Sequence, residues 1–462
     1  MGLNMTFIDN VKRYIHQNNL LQFNRRYIVA LSGGADSVCL LLILHQLGYT
    51  IEAAHCNFRL RGKESDRDEK FCMDLCNKNS IPFHCIHFDT KAYASLHKVS
   101  IEMAARDLRY SYFENLRKDI NAEGICVAHH REDCVETVLI NLVRGTGIHG
   151  LRGILPKNGS ILRPLLNSHR SDIELWLKAE EQDFVTDSSN FEDDVQRNKI
   201  RLDIMPLLQK LNPSVSDNIY SSAQHVAEGA QIIDDSLEKY LITREDIICY
   251  LPTPGFNGTE DYETSAYIHI AAVEHFSSPE YLLYYILKRY GFSGSQAEQI
   301  YAHFHEESGK LWKSATHELV IDRDWIIVHQ PVKGMDKTMK IPETGYYHFN
   351  ENCRLRISRF LKTGEFLPSK VGTIATIDSS KVHFPLTIRY TKTADRFHPF
   401  GMTGSKLISD LLTDMKKNLF QKQQQLVILD SEGKVIWLAG IRIDDRVKIT
   451  DNTKTILKLE LE

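Results

Sequence analysis

The stretch from Tyr27 to Leu44, YIVALSGGADSVCLLLIL, constrains the fold more than any other part of the chain. Tyr27 to Leu31 is a short apolar run of strand formers, Ser32 to Ser37 is a tight loop of small residues, and Val38 to Leu44 is apolar on every face. The pattern predicts a strand, a glycine turn and a helix buried in an α/β core. This geometry binds phosphate. Gly33 and Gly34 let the backbone turn sharply and approach a ligand. The free N–H groups and positive dipole end of the next helix then face an anion. Ser32 and Ser37 add hydroxyl donors, whereas Asp36 would repel phosphate unless a cation lay between them. That points to Mg²⁺ on a nucleotide.

Later segments extend the same layer. Ile51–Asn57, Phe83–Phe88 and Gly124–Ala128 read as further strands. Helices are expected from about Ser65, over Ile101–Lys118, over Asp133–Val143 and over Ser171–Glu181, with Ser65 and Asp68 as a capping box for the first. Strands alternating with amphipathic helices imply a doubly wound parallel sheet, whose ligands bind beyond the carboxyl ends of the strands. Polar residues do stand there: Ser32–Ser37, then His55 and Asn57, then His129 and His130. GTGIHG, Gly145–Gly150, follows a helix instead of a strand, so it is read as a helix stop or pocket-side loop and not as a dinucleotide site.

Composition sets outer limits. The 462 residues suffice for about three domains. With 42% hydrophobic and 25% charged residues the chain is globular, and its net charge of −4 carries no nucleic-acid signal as an average. Nine cysteines without a Cys-x-x-Cys argue for buried thiols in a reducing cytosol and against zinc ribbons or iron–sulfur ligation. No secretory leader and no 18-residue apolar run is present, so a cytoplasmic protein without a membrane span is expected.

AHHREDCVET, Ala128–Thr137, places Asp133 and Glu136 three apart on one face of a helix start. They suit Mg²⁺ or an ammonium better than zinc, and equally suit the helix dipole. SGGADS (Ser32, Gly33, Gly34, Ala35, Asp36, Ser37) is not a Walker A loop and resembles the PP-loop of N-type ATP pyrophosphatases, which cleave ATP to AMP and pyrophosphate. With the motifs that follow it, the chain resembles the tRNA(Ile)-lysidine synthase family over most of its length. HCNFRLRGKES matches through His55, Asn57, Leu60 and Arg61, while Phe58 and Arg59 depart from the family's His and Gly. AARDLRY matches through Arg106, Arg109 and Tyr110, and AHHREDCVET matches with Glu132 in place of an Asp. RGTGIHGL, RPLL, TDSSN and RNKIRLDIMPLL follow in order, with Asp187, Asn190, Arg197, Asn198 and Arg201.

That resemblance implies ligation of L-lysine to C2 of the wobble cytidine of a CAU-anticodon isoleucine tRNA, making lysidine and moving codon reading from AUG to AUA. ATP would adenylate the C2 oxygen, and the lysine ε-amine would then displace AMP. It implies ATP contacts by Ser32–Ser37, His55 and Asn57, Mg²⁺ on Asp36, and charge stabilisation by Arg106 and Arg201. Asp133 and Glu136 would hold the lysine ammonium, and one of them could take its proton. A homodimer is compatible with it. Two rivals stay open: a tRNA thiolase, which would need a catalytic cysteine pair, and a non-catalytic tRNA-binding protein.

The expected organisation is a catalytic domain over 1–213, a helical domain over 214–318, a β-rich connector over 319–380 and a small α+β domain over 381–462. The resemblance makes the second and last tRNA-binding. Tyr281, Tyr284 and Tyr285 are expected in a core. Residues 381–462 hold 14 Lys/Arg against 10 Asp/Glu, a balance of +4 that leaves −8 for the rest. There the glycine turn before Lys406 could hold an RNA phosphate, with Lys416 and Lys417 nearby; a solvated helix face is the other reading.

Overall fold

Strands Arg26–Ala30 (β1), Thr50–Asn57 (β2), Phe83–His87 (β3), Gly124–Cys126 (β4), Lys157–Asn158 (β5) and Ile161–Leu162 (β6) form one sheet in the order β3-β2-β1-β4-β6-β5. All neighbours pair in parallel except the β5–β6 hairpin. The structure is a computed structural model and describes residues 2–185, 195–249, 266–306, 309–331, 336–350, 353–364, 366–402 and 404–462. Asp187 and Asn190 lie outside these residues. The chain divides into two units, Met1–Ser236 and Leu237–Glu462.

In the first unit the helices are α1 (Gly2–Gln17), α2 (Ala35–Gln46), α3 (Lys63–Lys78), α4 (Thr90–His97), α5 (Ile101–Asp119) and α6 (Arg131–Val143). They continue with α7 (Ile148–Leu151), α8 (Arg170–Ala179), α9 (Val195–Lys199), α10 (Met205–Leu211) and, as far as Ser236, α11 (Val215–Ile242). Because α2 is apolar on every face from Val38 to Leu44, that stretch is buried: Val38, Cys39, Leu40, Leu41, Ile43 and Leu44 are fully buried. Its cluster joins Tyr27 and Val29 of β1 to Ile173, Trp176 and Leu177 of α8. Since β2 flanks β1 on one side and β4 on the other, the chain reverses direction of winding at β1. The crevice beyond the carboxyl ends of β1 and β4 is therefore where a ligand fits.

One local expectation fails. Helix α3 begins at Lys63, so Ser65 lies inside its first turn and does not cap it. Gly62, in a positive-φ conformation, makes the turn instead, and Asp68 pairs with Arg61 and Arg67. GTGIHG does end a helix: Gly145 follows α6, and Gly147 precedes the single turn of α7.

In the second unit, strands Ile247–Cys249 (β7), Ala266–His269 (β8), Leu311–Lys313 (β9), Glu318–Asp322 (β10) and Trp325–His329 (β11) form an antiparallel sheet, β7-β8-β11-β10-β9. It packs on helices Ile270–Glu274, Pro279–Leu287 and Gly294–Ala302 in one core, where Tyr285 is buried and Tyr281 and Tyr284 pack at the margin. A boundary at 318/319 would split β10 and strip this core of Leu319, Ile321, Ile326 and Val328. The boundary at 380/381 fails for a similar reason. Strand Thr455–Leu461 lies between Cys353–Leu361 and Ile374–Asp378, so residues on both sides of 380 share one sheet and one core. Among the described residues no connector stands as an element of its own; strand pairing distant in sequence absorbs it from both ends.

Candidate functional site

The turn between β1 and α2 is shaped by its glycines. Gly33 has φ +94°, and a Cβ there would stand 3.3 Å from Cys72 Sγ and 3.4 Å from Val185 Cγ2. The Val185 N–H donates to Gly33 O at 2.9 Å and anchors the loop. Ser37 Oγ accepts from the N–H groups of Ser32 (3.1 Å) and Gly33 (3.2 Å), donates to Gly34 O (2.9 Å), and lies 3.0 Å from Ser32 Oγ. Gly34 caps α2 without any side-chain cap, so the first N–H groups of the helix, from Ala35 onward, remain available to an anion.

His55 and Asn57 stand at the end of β2, both buried. The His55 Nδ1–H donates to Leu31 O at 2.8 Å, immediately before the loop, and burial lowers its pKa. The Asn57 amide is already engaged, donating to Glu69 Oε2 at 2.7 Å and accepting from the Arg59 N–H at 3.0 Å. Asn57 thus braces the turn after β2.

Asp36 meets a residue that its sequence neighbourhood does not announce. Arg170, the first residue of α8, donates from Nη1 to Asp36 Oδ2 at 2.7 Å. Oδ1 of Asp36 is buried without a hydrogen-bond partner among the described residues. Burial raises the Asp36 pKa, against the pull of His130 and Arg170. An orphaned carboxylate oxygen at the phosphate loop is a hard donor that fits Mg²⁺. The only sign of Arg170 in the sequence is a cation at a helix N-terminus, where the dipole disfavours it.

The segment after β4 carries the second half of the site. Asp133 Oδ2 accepts from the His130 N–H at 3.0 Å, capping α6, while its Oδ1 has Arg201 only at 4.0 Å. Glu136 is 2% exposed and takes a two-pronged bond from Arg201: Nε to Oε1 at 2.7 Å and Nη2 to Oε2 at 3.1 Å. Arg197 adds a 3.3 Å contact to Oε2. Burial raises the Glu136 pKa, and these arginines oppose it. Arg201 sits in a π-helical turn, Ile200–Ile204, between α9 and α10. The two carboxylates predicted to act alike therefore differ: Glu136 is committed to arginines, and Asp133 keeps an oxygen open.

Glu132, which departs from the family pattern, works as a tie. It accepts from Nδ1 of His130 and of His169, each at 3.0 Å, and from the Arg170 N–H at 3.1 Å. Its pKa falls to about 2 because these bonds outweigh burial. Arg106 is not brought into this group. Its guanidinium lies over the Tyr110 ring at 5.3 Å and close enough to Arg163 to lower that residue's pKa, second to burial. Arg163 Nε donates to His129 Nδ1 at 3.2 Å, which leaves the His129 proton on Nε2. Arg106 is thus linked to the crevice through Arg163 and His129.

The eight described cysteines all have pKa values raised by burial, so none is a poised thiolate of the kind a thiolase needs. Among the described residues no helix is long and apolar enough to cross a membrane. In the second unit Lys406 lies on a short strand before the seven-residue helix Ile408–Asp414 and pairs with Asp414. Lys416 is exposed in a left-handed turn beyond that helix, with Lys417 half-buried beside it.

Family models match as a PP-loop domain over residues 3–208, a TilS substrate binding domain over 261–332 and a TilS substrate C-terminal domain over 386–461. The tRNA(Ile)-lysidine synthase of Parabacteroides distasonis is 41% identical over 97% of this chain and 98% of its own length. That of Bacteroides thetaiotaomicron is 40% identical over 97% and 98%. Among solved structures, a tRNA thiolase from Methanococcus maripaludis overlaps 48% of this chain and 80% of its own at 18% identity and a TM-score of 0.42. With full-length identity at this level, the chain belongs to the tRNA(Ile)-lysidine synthase family.

Proposed function

We propose that this protein ligates L-lysine to C2 of the wobble cytidine of a CAU-anticodon isoleucine tRNA, with ATP cleaved to AMP and pyrophosphate. The observation that carries the reading is the convergence of the phosphate loop and the acidic start of α6 on one crevice: Arg170 donates to Asp36 Oδ2 from its guanidinium and to Glu132, in the first turn of α6, from its backbone N–H. Oxygen on C2 of a cytosine is a poor leaving group, so adenylation converts it into AMP. Ser32, Ser37 and the N–H groups at the N-terminus of α2, from Ala35 onward, bind the phosphates. Asp36, through its open Oδ1, is the residue that would hold Mg²⁺, which supplies charge neutralisation on the phosphates. The lysine ε-amine then attacks C2 and expels AMP.

Asp133 Oδ1 is the first partner for the lysine ammonium and the first candidate base. A lysine amine of pKa about 10.4 must lose a proton before it attacks. Glu136 acts through Arg201, holding its guanidinium where negative charge grows during the transfer. His55 backs the phosphate loop, and Arg106 acts on the crevice only through Arg163 and His129. The exposed Lys416 and the adjacent Lys417 contribute phosphate contacts with tRNA, and Lys406 does so only by giving up Asp414.

The test is incubation of the purified protein with ATP, labelled lysine and bulk tRNA, followed by nucleoside mass analysis. Lysidine, AMP and pyrophosphate are expected. ADP and phosphate as products, or label in a different nucleoside, would overturn the reading.

A further inference from the structure

The phosphate loop carries no lysine after its glycines, so the cation that meets the terminal phosphates must come from elsewhere in the fold. Arg170 is placed for that task. Its backbone N–H is fixed by Glu132, its Nε donates to Glu174 Oε1 at 3.0 Å, and its Nη1 reaches Asp36 Oδ2. Its side chain is 39% exposed, against 22% for Asp36. Glu132, Asp36 and Glu174 hold a cation at the start of α8, although the helix dipole disfavours one there.

Resting on the ATP reading above, we propose that Arg170 is a phosphate-positioning residue that exchanges partners when nucleotide binds. Without nucleotide it neutralises Asp36. When a metal-bound triphosphate enters, the Asp36 carboxylate passes to the cation and the guanidinium turns to the β- and γ-phosphates. It then clamps the pyrophosphate as that group departs. Both charges stay matched before and after, so neither a bare carboxylate nor a bare guanidinium is left in the crevice. A guanidinium suits the role because its planar fork meets two phosphate oxygens at once.

The exchange makes two predictions of opposite sign for Arg170→Ala in the full chain. Inorganic pyrophosphate, measured by calorimetric titration with Mg²⁺ present, should bind about tenfold more weakly, since one charge-assisted contact is lost. Mn²⁺ without nucleotide, followed by the free-ion paramagnetic resonance signal, should bind several-fold more tightly, because Asp36 has lost its competitor. Arg170→Lys should recover part of the pyrophosphate affinity. A role confined to packing would weaken both affinities or neither, and either result overturns the exchange. Failure of the wild-type protein to bind pyrophosphate or Mg·ATP would sink the ATP reading itself, and the exchange with it.

Discussion

Burial holds His129 neutral down to about pH 4, helped by Arg163, Arg197 and His130, whereas His130 titrates above its ordinary value. Burial opposes charge on His130 as well, but the Glu132 bond and the carboxylates of Asp133 and Asp36 outweigh it. The signs for stability follow. His129 has a folded pKa below 6.5, so its contribution is complete above that pH and is lost as pH falls towards 4. It amounts to about 3 kcal/mol. His130 is reversed: its contribution is complete below 6.5 and is lost as pH rises through the raised value. Imidazole NMR should show His130 titrating before His129 on acidification, and His129→Gln should flatten the acid limb of a stability profile. The acidic pair should separate in the same way. Glu136→Gln leaves Arg201 and Arg197 short of a buried partner and should cost about 2 kcal/mol, in addition to slowing transfer. Asp133→Asn keeps the cap on α6, so stability should hardly move while lysine KM rises about tenfold. Equal melting temperatures for the two variants would refute the division of labour.

At the scale of elements, the junction of α6 with the loop behind it is tight. Gly153 has φ +64°, and a Cβ there would fall 2.6 Å from Cys134 Sγ and 2.9 Å from Val138 Cγ2, both on α6. Gly153→Ala should therefore destabilise by about 1–3 kcal/mol in urea unfolding, with m unchanged. Arg131 fastens the same helix elsewhere, bonding Asp217 at 2.6 Å and Asn167 while lying over the Tyr220 ring. Much of this unit was readable from sequence because its signals are local. An all-apolar α2 can only be buried, and β1 to β4 are bounded by turn residues. The edge hairpin β5–β6 escaped notice because two-residue strands have no period to read. Asp36, Asp133 and Glu136 were recognisable by type and position. Arg170 was not, because its partner is 134 residues away and only the packing of α2 on α8 joins them.

For the molecule as a whole, non-local strand pairing decided what sequence could not. The expected edges at 318 and 380 followed changes in local pattern, whereas the observed sheets join segments on both sides of each. Charge was more legible: the balance of +4 from Lys381 onward predicts salt-dependent tRNA binding. Lys416→Ala, which removes an exposed charge, should lower the salt slope of tRNA affinity by up to about one unit. Lys406→Ala should lower it less, because Asp414 already shares that charge. Affinities measured across a salt series check both, and equal slopes for wild type and Lys416→Ala would remove that lysine from the interface. The strand Thr455–Leu461 has a further consequence, in the order of synthesis. It is the last made of its four strands, yet it lies between two of the earlier ones. Until it leaves the ribosome, Cys353–Leu361 and Ile374–Asp378 each present an open edge that invites wrong pairing or proteolysis. A half-translated chain can pair the strands of its first sheet but not close this one, which waits for its last-made strand.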